Sequence, residues 1–234
     1  MTTTSQTALE ESFIRHYSIL KGQPVPSFSI RFYPYCNLNH TIRIRQGRII
    51  VRISDILRQA PLEIISAVLA ILLHKLFGKR TPEDDRRRYR NYIFGRDIQA
   101  KAHLMRSQRG RKVLTQSSGR IYDLRTVFDR LNQHYFENQV RVRFLSWSRR
   151  KNRRILGHYD SAHQTIVIDR RLDAVLVPEY VVEYVLYHEM LHAFLGDEVC
   201  SGRRQVHHRR FREAEKKFEH YRLAKEFISR HLSH

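Results

Sequence analysis

Residues 178–196 read PEYVVEYVLYHEMLHAFLG, and inside this stretch His188-Glu189-Met190-Leu191-His192 forms an HExxH pentapeptide. Pro178 and Glu179 suit the first turn of a helix, and Gly196 suits the position just past its end. Between them, Val181, Val182, Val185, Leu186, Leu191, Phe194 and Leu195 cover most of a helix circumference, which predicts a buried helix. On such a helix residues i and i+4 share one face, so both imidazoles reach a single cation. Glu189 is rotated about 100° from His188. It is close enough to touch a water at that cation without occupying a ligand position. This is the two-ligand, one-base pattern of zinc hydrolases. Two histidines and a glutamate turned inward also need polar partners or a metal to offset burial. A histidine pair satisfied by hydrogen bonds alone is the competing reading.

A catalytic zinc needs a third protein ligand and an open fourth position. Downstream stands Val206-His207-His208-Arg209-Arg210-Phe211, opening a helical pattern that continues through Phe218 and Tyr221. Upstream, residues 128–136 read FDRLNQHYF on an entry helix. They are followed by Trp147-Ser148 on a strand, Gly157-His158-Tyr159, and the strand Thr165-Ile166-Val167-Ile168. From about Tyr122 to Phe218 this series resembles the SprT-like zinc metallopeptidase family. The resemblance implies peptide-bond hydrolysis with one zinc per chain. Its ligands would be His188, His192 and the histidine of a final His-Gly-x-x-Phe motif, with Glu189 as catalytic base. That third histidine maps to His207, which keeps the four-residue spacing to Phe211. His208 stands where the family has glycine, so the adjacent histidine is a competing ligand. His208, Tyr159, Arg203 and Arg204 are candidates for stabilising the oxyanion or binding substrate. Cys200 lies in the loop between the ligand-bearing segments.

The first half carries a fainter version of the same order. With His74 opposite His192, Leu76-Phe77-Gly78 meets Phe194-Leu195-Gly196, and one gap brings Pro61 opposite Pro178. Arg48-Ile49-Ile50-Val51 lies opposite residues 165–168, and His16-Tyr17 opposite His134-Tyr135. A steady offset of 117 pairs Phe94 with Phe211 and His103 with His220. The expected architecture is therefore α+β, a tandem duplication of a zincin-like, SprT-like unit. Each copy would hold a helix, a short antiparallel sheet, a buried helix and a closing helix. The expected boundaries are 1–107 for the first copy, 108–119 for a polar link and 120–234 for the metallopeptidase domain. In the first copy Ala70, Ile71 and Arg90 stand opposite His188, Glu189 and His207. It has therefore lost the chemistry, and His74 reads as a satisfied core histidine.

The chain has 234 residues and a net charge of +20, and its hydrophobic content of 41% is that of a globular protein rather than a disordered one. The run 64–73 is almost continuously apolar but too short to span a bilayer. No basic segment followed by an apolar core opens the chain, so no signal peptide is expected. Cys36 and Cys200 show no motif spacing, which together with the resemblance points to reduced thiols in a cytoplasm.

The charge is clustered. Lys79 to Lys112 holds 12 basic against 4 acidic residues, and Arg141 to Arg154 holds 7 basic and none acidic. Such density favours phosphate contacts, and DNA is a candidate partner beside the protein substrate. The candidate contacts are Arg149, Arg150, Lys151, Arg153, Arg154 and Trp147. Trp147 would stack on an unpaired base unless its strand position buries it. Two rivals to the peptidase reading follow from the same residues. One is a basic nucleic-acid-binding module whose zinc is structural and closed by His208 or Cys200. The other is metal-dependent hydrolysis of a non-peptide amide.

Overall fold

The computed structural model describes residues 5–22, 24–110, 114–152, 155–200 and 203–232. Arg153 and Arg154 lie outside the described residues, as do the side chains of Val199, Cys200, Arg203 and Arg204. The chain divides into two units, Met1–Gly110 and Arg111–His234.

In the first unit, helix α1 (Gln6–Lys21) starts at Ser5, whose hydroxyl accepts from the Ala8 amide. Strands β1 (Phe28–Tyr33), β2 (Thr41–Arg45) and β3 (Arg48–Ser54) follow, then a 3-10 turn at Asp55–Leu57. Pro61 leads into helix α2 (Leu62–Leu76), and helices α3 (Glu83–Ile93) and α4 (Arg96–Arg109) complete the unit. Ile64, Ile65, Val68, Leu69, Leu72 and Leu73 of α2 pack with Leu9 and Phe13 of α1 and with Ile30, Ile49, Val51 and Ile53 of the sheet. Each such side chain contributes on the order of 1.5–3 kcal/mol of hydrophobic stabilisation when fully buried.

The second unit repeats the opening order. Helix α5 (Leu124–Phe136) is capped by Asp123, whose carboxylate accepts from the Arg125 and Thr126 amides. Strands β4 (Phe144–Trp147), β5 (Gly157–Asp160) and β6 (Thr165–Ile168), a 3-10 turn at Arg170–Leu172 and the long helix α6 (Glu179–Leu195) come next. A small hairpin, β7 (Glu198–Cys200) with β8 (Arg203–Gln205), then leads to α7 (Arg209–Glu215) and α8 (Tyr221–His231). The core gathers around α6, with Val181, Val182, Val185, Leu186 and Met190 against Phe128 and Leu131 of α5 and Ile166 and Ile168 of β6.

Both three-stranded sheets are mixed, which corrects the expectation of antiparallel ones. Their orders are β1-β3-β2 and β4-β6-β5. In each, the first strand runs parallel to the central third strand and the second runs antiparallel to it. The chain crosses to the far edge before returning to the middle, a choice that residue alternation along a strand does not encode. In the first sheet the β2–β3 turn is Gln46-Gly47, with φ of 48° and 72°. Two positive values in a two-residue hairpin loop make a type I′ turn, for which glycine is the favoured second residue.

Setting the two 3-10 turns opposite one another gives a second way of matching the two halves. Matching Leu57 with Leu172 sets residues 50–53 opposite 165–168. Val51 then matches Ile166 and Ile53 matches Ile168, all fully buried. The shift from the sequence alignment is two residues, which keeps every side chain on its own face.

The single closing helix expected for each half is two helices in both units, because Phe94-Gly95 and residues 216–220 break the pattern. Of the expected link at 108–119, residues 111–113 lie outside the described residues. Residues 108 and 109 finish α4, and Arg109 holds Asp55 through two hydrogen bonds of 2.8 and 2.9 Å. Thr115 bonds Ser146, and Asp173 accepts from the amides of Arg120, Ile121 and Tyr122. Among the described residues no helix is long and apolar enough to cross a membrane.

Candidate metal centre

Helix α6 places His188 and His192 one turn apart on one face, with their Nε2 atoms 3.2 Å from each other. After the β7–β8 hairpin the chain delivers His207 to the same point, its Nε2 3.2 Å from both. A tetrahedral zinc with bonds of 2.0–2.1 Å holds its nitrogens ~3.3 Å apart. The three nitrogens thus have the spacing of ligands around one cation. Three rings converging on a single point also cannot all hydrogen-bond to one another in good geometry. The donor set fits zinc, and these are the three side chains that could share an ion among the described residues.

The ring of Phe211 forms the floor, with centroids 4.5 Å from His192, 4.8 Å from His207 and 5.0 Å from His188. Arg212 Nε donates to the His207 carbonyl at 3.0 Å, fixing the residue just ahead of α7.

His208 takes a different place. Its ring is 2% exposed and caps α7, with Nδ1 3.4 Å from the Phe211 amide and 3.3 Å from Glu198 Oε1. Of the two adjacent histidines, His207 is the one directed to the triad. The reason is the turn into the helix: consecutive side chains diverge, and the helix terminus takes the second.

The orientation of His188 comes from a residue that no sequence motif singles out. Glu215 on α7 accepts from His188 Nδ1 at 2.7 Å and from the Tyr184 hydroxyl at 2.7 Å. With the proton held on Nδ1, the Nε2 lone pair is free to face an ion. Burial acts to raise the Glu215 carboxyl, but chiefly the hydrogen bonds from His188 and Tyr184 outweigh it and hold it at about 2. The only signal in the sequence is a carboxylate on the helix after the third histidine, and Glu213 meets that description equally.

Glu189 is 5% exposed. Burial pushes its carboxyl up to about 7, against the pull of His188 and the Tyr159 backbone amide. Gly157 makes this position possible. A Cβ there would lie 2.9 Å from Glu189 Oε1 and 3.0 Å from both Glu189 Cγ and Val185 Cγ1. The triad and Glu189 open onto a cleft of about 520 Å³ whose wall includes Gly157, His158 and Tyr159 of β5. Among the candidate substrate contacts, Tyr159 lines this cleft and His208 is turned away from the triad. The side chains of Arg203 and Arg204 lie outside the described residues.

Trp147 is 4% exposed in the core of the second unit, so no ring face is available for a base. Arg149, Arg150 and Lys151 are exposed on the loop after β4. In the first unit, Ala70 is fully buried, and His74 donates from Nδ1 to the Ala70 carbonyl at 2.8 Å.

Residues 124–229, the C-terminal half of the chain, match the model of the SprT-like family. No curated protein and no solved structure matches the chain.

Proposed function

We propose that the second unit is a zinc-dependent peptidase. The carrying observation is the trio of imidazole nitrogens 3.2 Å apart beside a buried carboxylate, all facing one cleft. The SprT-like match over the same residues supports it. His188, His192 and His207 would hold the ion. When bound there, zinc supplies a Lewis acid that polarises a carbonyl and acidifies water.

The chain's own groups do the rest. Glu189, buried beside the triad, takes the proton from the attacking water and delivers it to the leaving amine as the C–N bond breaks. The Tyr159 amide steadies that carboxylate. β5 is an edge strand, with β6 on one side and residues 157–159 along the cleft. An extended substrate chain would add beside it through main-chain hydrogen bonds, without demanding a particular sequence.

The first unit reads as a diverged copy that has lost this chemistry. The shared strand order and directions, the matched 3-10 turns, and a buried helix led in by proline and followed by a glycine at φ of 62° or 66° support the duplication. A cytoplasmic location agrees with the two cysteines lacking motif spacing.

A structural zinc would need a fourth side-chain ligand. The placement of His208 against Glu198 and the α7 terminus weighs against that reading. The deciding experiment measures zinc content and casein cleavage in the full chain. One zinc per chain is expected, with cleavage removed by a chelator and by Glu189→Gln while that variant keeps its zinc. Chelator-resistant cleavage, full activity in Glu189→Gln, or hydrolysis of small acyl amides without casein cleavage would overturn the proposal.

A further inference from the structure

The sheet of the first unit has two unlike faces. Ile30, Ile49, Val51 and Ile53 point to the helices and are buried. The alternate residues point the other way, and five of them are arginines: Arg31 on β1, Arg43 and Arg45 on β2, Arg48 and Arg52 on β3. All five are exposed. From Ser12 to Ser54 the chain contains no aspartate or glutamate. The first acid after the sheet, Asp55, is occupied on both oxygens by Arg109. Among the described residues, none of the five arginines has a carboxylate partner.

The register sharpens the point. Arg31 pairs with Arg52, and Arg45 pairs with Arg48. Like charges directly opposite one another weaken a sheet, so this face is built against its own stability unless an anion lies across it.

The aromatic content narrows the kind of anion. Tyr33 and Tyr35 stand at one end of the face with ring centroids 4.7 Å apart. Tyr33 is 41% exposed, and the Arg52 guanidinium lies 4.8 Å over its ring. The two rings, with Arg43, Arg45 and Arg52, line a shallow cavity of about 240 Å³. Guanidinium groups spread across adjacent strands, about 4.8 Å apart, suit a flexible phosphate backbone. The exposed ring of Tyr33, with the half-buried Tyr35 beside it, offers a surface to unpaired bases, which a duplex does not present.

We propose that this open sheet face binds single-stranded nucleic acid. The arginines hold the phosphates, and Tyr33 with Tyr35 stacks on a base. These residues belong to the first unit, whereas the zinc-ligand residues and the basic loop at 149–151 belong to the second, so the first unit gains a role of its own.

The test is fluorescence anisotropy with a labelled 20-nucleotide oligo(dT), an oligo(rU) of equal length, a DNA duplex and heparin as competitor. The triple variant R43Q/R45Q/R52Q is expected to bind the single strands at least tenfold more weakly. The slope of log affinity against log salt should also be shallower by about 2, since each phosphate neutralised on a single strand contributes roughly 0.7 to it. Tyr33→Ala should weaken binding about tenfold with the slope unchanged, and R149Q/R150Q/K151Q should bind like the parent chain. Comparing oligo(dT) with oligo(rU) tells DNA from RNA, either of which sustains the proposal. Wild-type affinity in a triple variant with unchanged circular dichroism would overturn it. So would equal binding of duplex or heparin together with indifference to Tyr33. Should the triple variant fail to fold, hydrogen exchange on the parent chain decides instead. Protection of residues 28–54 by oligo(dT) is expected, and protection confined to the second unit would overturn the assignment.

Discussion

Glu215 Oε1 sits 2.7 Å from His188 Nδ1, on the opposite side of the ring from the nitrogen that meets His192 and His207. One carboxylate thus selects the tautomer of a ligand from the helix that follows the third histidine. The same oxygen also receives the Tyr184 hydroxyl, so α6 and α7 are tied at the centre of the site.

Replacing that carboxylate with an amide should loosen the metal without removing a ligand. Glu215→Gln is expected to lower zinc affinity about 10- to 100-fold, read by competition with a chromogenic chelator. Tyr184→Phe should have a smaller effect, since His188 keeps its partner. Unchanged affinity in Glu215→Gln would mean that the carboxylate does not orient the ligand.

The two adjacent histidines should separate cleanly. His207→Ala is expected to lose stoichiometric zinc. His208→Ala should retain it and instead lose about 1 kcal/mol of stability from the α7 cap, visible as a lower midpoint in urea. Zinc loss in His208→Ala, with His207→Ala still loaded, would exchange their roles.

Gly157→Ala tests the contact that positions the base. The added methyl would meet Glu189 Oε1 at 2.9 Å, so the carboxylate must move. Cleavage of casein should fall at least tenfold while zinc content remains at one per chain. The assigned role fails if Gly157→Ala cleaves like the parent chain.

The first unit should carry its own pH dependence through His40. Its Nδ1 accepts the Ser54 amide at 3.1 Å, which leaves Nε2 to donate to the Tyr89 hydroxyl at 2.8 Å. Burial lowers the ring to about 4 from its ordinary 6.5. Above pH 6.5 the ring is neutral in both folded and unfolded chains, and stability does not depend on it. Between 6.5 and about 4 the unfolded chain takes up a proton that the folded ring refuses, so stability falls as pH falls. The total is up to about 3 kcal/mol, and it levels off below 4. The check is a urea titration by circular dichroism at several pH values. The fluorescence of Trp147 reports the second unit separately, since this is the sole tryptophan of the chain. His40→Gln should reduce the slope assigned to the first unit, leaving the part that His16, also lowered by burial, contributes.

The 178–196 stretch by itself determined a buried helix with His188, Glu189 and His192 on it. Helical periodicity is a local property, and four residues of spacing fix a shared face whatever surrounds them. The strand at 165–168, a run of threonine, isoleucine and valine, was likewise legible through its place in the SprT-like series. Its residues could not give strand direction or register, because a two-residue slip leaves every side chain on its own face. Nor could spacing choose between His207 and His208. That choice falls where the chain turns into α7 and the helix end captures one ring, leaving the other to the triad. Glu215 and Gly157 acquire their roles only through contacts across 27 and 32 residues of sequence, Glu215 with His188 and Gly157 with Glu189. Only tertiary packing brings such partners together, because no short-range pattern in the chain records which distant side chain will fill the space beside a given nitrogen or carboxylate.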